Sequence, residues 1–62
     1  MNDQITLWIM ARSAQEAVDD AKAQARADGW RVLTVAKVVY RPTGATPAWN
    51  VTLTVKPEEV AP

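Results

Sequence analysis

From Gln4 to Ala11 the chain alternates: Ile5, Leu7 and Ile9 fall on one side of an extended backbone, Thr6, Trp8 and Met10 on the other. A period of two marks a strand with one face turned to a core. The pattern changes at Ser13. Ser13-Ala14-Gln15-Glu16 has the form of a capping box, in which the hydroxyl accepts from the Glu16 backbone and the carboxylate reaches back. Ala14, Ala17, Val18, Ala21 and Ala25 then recur at helical spacing, while Asp19, Asp20, Lys22, Gln24 and Arg26 cover the rest. The predicted helix runs to about Asp28, and Gly29 suits the left-handed residue that comes after a helix.

A period of two resumes at Trp30 and predicts a long second strand to Arg41. Its even positions are Trp30, Val32, Thr34, Ala36, Val38 and Tyr40; its odd ones are Arg31, Leu33, Val35, Lys37, Val39 and Arg41. The even set carries no charge and is assigned to the helix-covered face, because an unpaired buried charge is costly. Two prolines and a glycine make Arg41–Pro47 a loop. In the third strand, Trp49 to Lys56, residues Trp49, Val51, Leu53 and Val55 face the core. Asn50, Thr52, Thr54 and Lys56 face away, Pro57 ends the strand, and residues 57–62 form a frayed tail.

These elements give one α+β domain over residues 1–56, of β-α-β-β order: a mainly antiparallel three-stranded sheet with a helix on one face. A wholly antiparallel sheet requires the order 1-3-2. Direct pairing of strands one and two would instead require a right-handed crossover. The clean alternation of residues 49–55 favours the first, with strand three in the middle.

One helix leaves the other sheet face bare. On the assignment above that face carries Trp8, Met10, Leu33, Val35 and Val39, edged by Arg31, Lys37 and Arg41. An apolar patch of this kind marks an interaction surface. The helix offers mostly alanine, so the core inside one chain is thin. A chain of 62 residues buries only about 60% of the surface its unfolded form exposes. Domains of this size draw extra stability from disulfides, metals or partner chains. The sequence has no cysteine and no histidine, and no carboxylates at ligand spacing, which leaves self-association, at least a dimer.

Seven basic and seven acidic residues give a net charge of zero, so charge supplies no argument for nucleic acid or an anionic membrane. Leu7–Ala11 is too short for a signal-peptide core or a membrane span, and Asp3 stands where a basic region would precede it. The expected location is cytoplasmic, with every residue mature. Asn50-Val51-Thr52 matches a glycosylation sequon that such a location leaves unused.

Histidine and cysteine, on which proton transfer and nucleophilic catalysis lean, are both missing, and the expected reading is that the chain is no enzyme. Ser13, the single serine, is accounted for as a helix cap. Asp19 and Asp20 diverge by about 100° on a helix and cannot act as a pair. Gly29 and Gly44 are too far apart to cradle a phosphate. The three tryptophans, with no phenylalanine beside them, are the most informative residues. Trp49 supplies core bulk, Trp30 stands at the helix-to-strand junction, and Trp8 lies on the bare face as an interface anchor or a stacking platform.

The stretch Trp49-Asn50-Val51-Thr52-Leu53-Thr54-Val55 resembles the aromatic-Gln-Val-Thr-apolar-x-Val run in the third strand of the dodecins. Those are small β-α-β-β proteins that assemble into hollow dodecamers and bind flavins. The resemblance extends to the order of elements and to Trp30 at the start of the second strand. It implies that Trp30 would stack on an isoalloxazine ring and Asn50 would hydrogen-bond it. The helix is about two turns shorter than that family's, and asparagine stands in place of glutamine. Three classes of function therefore remain open: a structural or oligomeric module, a flavin carrier, and a protein-binding adaptor or inhibitor.

Overall fold

Three strands and one helix succeed one another in the computed structural model, which describes residues 2–58: β1 (Asp3–Met10), α1 (Ala14–Ala27), β2 (Trp30–Tyr40) and β3 (Ala48–Pro57). The fold is α+β, with both strand pairs antiparallel and the order β1-β3-β2. β3 is central, as its alternation implies. Val51, Leu53 and Val55 on it are fully buried and are the largest side chains to be so.

The helix forms where its caps dictate. Ser13 Oγ accepts from the Glu16 N–H at 3.2 Å, so the hydroxyl half of the capping box is made. At the other end Asp28 N–H is shared between the carbonyls of Gln24 and Ala25, and Gly29 takes φ 90°. Ala17, Ala21 and Ala25 are fully buried against the sheet, and Val18 is half-buried. Ala14, placed in the stripe by spacing alone, is exposed in the first turn. Ser13→Ala should lower stability by about 1 kcal/mol. A urea titration should show the midpoint falling with its slope unchanged.

β2 and β3 are joined by a tight turn. Thr43 and Thr46 exchange both backbone hydrogen bonds, at 3.1 and 2.9 Å, around Gly44-Ala45. Gly44 has φ 57° while Ala45, like every described non-glycine residue, does not have positive φ, which makes the turn type II′, with glycine at its first central position.

β2 departs from simple alternation. Its register against β3 shifts twice, between Val32 and Thr34 and between Val35 and Lys37. Val32, Val35 and Val38 therefore face Val55, Leu53 and Val51 on the helix side. Leu33 and Ala36 stand opposite no residue of β3. Two expectations are corrected by this. Val35 packs on the core and not on the bare face, and Thr34 and Ala36 do not belong to the helix-covered set. The cause is the first bulge, which adds one residue and flips the parity of the positions after it; the second bulge restores it by Val38.

The expected end at Lys56 is also extended. Pro57 lies opposite Trp30, and the Glu58 N–H donates to the Gly29 carbonyl at 2.9 Å. Pro57 is tolerated because its nitrogen points to the β1 side, past the start of β1 at Asp3, so no ladder bond is lost. The rest of the expected tail, residues 59–62, lies outside the described residues.

Candidate interaction face

The helix packs chiefly across β2 and β3 and least on β1. Its side of the sheet is closed by rows that run across the three strands. Ile9, Trp49 and Tyr40 form one, Leu7, Val51 and Val38 the next, and Ile5, Leu53 and Val35 a third. At the end of the first row Trp49 Nε1 donates to the Ala11 carbonyl at 3.0 Å. Tyr40 leans on Trp49 with ring centroids 4.7 Å apart and planes tilted by 52°. Trp49 thus fills the core end, as its position in the pattern implies, and has no free indole N–H to offer a ligand.

The opposite face is where unused side chains gather. Trp8, Asn50 and Val39 form one row, and Thr6, Thr52 and Lys37 the next. Gln4, Thr54 and Thr34 make a third. Thr6 and Thr52 join hydroxyls at 2.9 Å. Trp8 is 48% exposed and Met10 60%. Val39 lies half-buried across β3 from them, beyond Asn50, and Leu33 is exposed at the first bulge. Of the five residues expected on this face, Trp8, Met10 and Val39 are there, Leu33 stands at its margin, and Val35 is not.

The face is asymmetric, as the order 1-3-2 and the alternation of its strands imply. Its large apolar groups, Trp8 and Met10, sit on β1. Its cations, Arg31 and Lys37, sit on β2, with Lys56 opposite Arg31 on β3. The acidic residues Glu16, Asp19 and Asp20 are on the helix, on the other side of the sheet. A net charge of zero thus conceals a molecule with a basic strip on one face.

Trp30 and Asn50 are not brought together. Trp30 pairs with Pro57 and packs against the core on the helix side, while Asn50 pairs with Trp8 on the bare face. Seven residues of β3 separate the two levels, about 23 Å at the rise of a strand. One chain cannot close both groups on one flavin ring. Among the described residues no pocket is formed, and no three metal-ligating side chains cluster. No described helix is long and apolar enough to cross a membrane.

The chain matches no protein-family model, no curated protein and no solved structure.

Proposed function

We propose that this chain is a non-enzymatic, self-associating module whose contact surface is the bare sheet face. The observation that carries the reading is the exposure of Trp8 and Met10 side by side on a face that no other described element covers. Isolated exposed apolar residues are ordinary, but a tryptophan and a methionine on adjacent same-face positions form the kind of patch that interfaces use.

Energetics support the same reading. Among the described residues five of the nine that are buried are alanine, and the three largest fully buried side chains are one leucine and two valines. A core of that size stabilises a chain by about 3–5 kcal/mol at most. Covering Trp8 and Met10 with a second copy adds about 1.5–3 kcal/mol for each large side chain closed off. Association is then a substantial part of what keeps the chain folded.

Light scattering coupled to size exclusion tests the proposal. The native chain should elute as a symmetric oligomer at micromolar concentration, and Trp8→Lys should shift it to a smaller species. A stable native monomer would refute self-association. An assembly that Trp8→Lys leaves intact would show that the bare face is not the contact.

A further inference from the structure

We infer that β1 pairs antiparallel with β1 of a second copy, about a twofold axis at Leu7, to make one continuous six-stranded sheet. The inference rests on the self-association proposed above and adds where, and in what register, two chains join.

The order β1-β3-β2 leaves two open edges. They are not equivalent. β2 carries two bulges and the cations Arg31 and Lys37, both of which protect an edge from pairing. β1 has neither. Its pairing with β3 is unbroken over eight residues, and no charged residue or proline occurs from Gln4 to Ala11. A regular, uncharged, largely apolar edge is the kind that recruits another strand.

The free backbone groups can be assigned. Ala11 N–H donates to the Pro47 carbonyl, and Arg41 N–H to the Ala48 carbonyl. Pro47 therefore faces β1 and Ala48 faces β2. Because the direction alternates along a strand, Ile5, Leu7 and Ile9 bond inward to β3. Gln4, Thr6, Trp8 and Met10 turn their N–H and C=O groups outward. A twofold at Leu7 sets Gln4 against Met10 of the second copy and Thr6 against its Trp8. All four outward residues are then used. On the helix side Leu7 meets Leu7, and Ile5 meets Ile9. Ile5 and Leu7 are only half-buried in one chain, where α1 covers β1 least. No like charges oppose each other across this seam, which is why the occupant is a second copy of this chain.

The pairing also explains the lopsided face. In one chain Trp8 and Met10 lie on an edge strand. In the doubled sheet they flank its midline, and the cations of β2 move to the two outer rims. An apolar centre with a charged rim is the usual anatomy of an interface. Strand pairing alone buries little area, so the doubled sheet still needs its face covered. Two doubled sheets stacked face to face close the assembly at four chains when the twofold axes meet.

Single cysteines test the register cleanly, because the chain has none of its own. Leu7 would be a pair without mutual hydrogen bonds, with Cα atoms about 4.5 Å apart, within disulfide reach. Leu7→Cys should form a dimer on mild oxidation, lost on reduction. Ile5→Cys should not, since its two copies lie about 14 Å apart along the strands. Thr6→Pro provides an independent arm. The Thr6 N–H turns away from β3 and bonds nothing among the described residues, so proline there should leave the fold intact by circular dichroism and halve the mass in solution. Trp8→Lys should also reduce the mass while Leu7→Cys in that background still cross-links. A native monomer would overturn both the function and this inference. A native oligomer in which Leu7→Cys stays reduced, or Thr6→Pro leaves the mass unchanged, would overturn the strand pairing alone. Capture of an unrelated chain's strand by β1, with no disulfide between two copies, would do the same.

Discussion

Leu53→Ala should leave the chain largely unfolded at room temperature. Leu53 lies at the middle of the central strand, flanked by Ile5 on β1 and Val35 on β2, and is fully buried. Truncating a buried leucine costs about 2–5 kcal/mol through lost transfer energy and the cavity left behind. The upper part of that range equals the whole stability expected of so small a core. Relaxation offers little relief, because the helix residues over the sheet are Ala17, Ala21 and Ala25, which cannot move long side chains into a gap. Far-ultraviolet circular dichroism should show the loss directly. Raising the protein concentration should restore part of the signal, since association favours the folded chain. A fully folded variant at low micromolar concentration would show that the core is not the weak point.

How far the sequence reveals the fold can be argued from its strands. β1 and β3 alternate without interruption, and both the central place of β3 and the face of each of its residues come from that pattern alone. Ser13 and Gly29 mark the helix ends because caps are local chemistry that needs no tertiary context. The middle of β2 misleads for an equally physical reason. Bulges are usually signalled by glycine or a break in pattern, and Val32-Leu33-Thr34-Val35-Ala36-Lys37 has neither. One signal is present. Strict alternation puts Thr34 and Ala36 in the core and Val35 outside it, a weak use of the valine. The interaction face is legible through Trp8 and Met10. Its cations are legible too, since alternation puts residues 31, 37 and 56 on the side away from the helix; that Lys56 stands opposite Arg31 comes only with the register of β2 on β3.

That register has a direct consequence. Val35→Asp should be severely destabilising and Thr34→Asp nearly silent, the reverse of what simple alternation predicts. Val35 lies against Leu53 on the helix side and packs on the buried cluster. An aspartate there loses the valine's burial and sets a carboxylate against apolar groups with no donor to meet it. The loss should be about 3 kcal/mol or more. Aspartate is the informative choice, because a lysine could extend its ammonium to water past a half-buried site. Thr34 is exposed on the other face, paired with Thr54 and on the same strand as Arg31 and Lys37. A carboxylate at position 34 gains favourable charge there and gives up at most about 1 kcal/mol of strand propensity. Thermal unfolding of the two variants, compared with the native chain at matched concentration, decides the matter. If Thr34→Asp unfolds the chain while Val35→Asp is tolerated, β2 carries no bulge between Val32 and Thr34 and the strand alternates to its end.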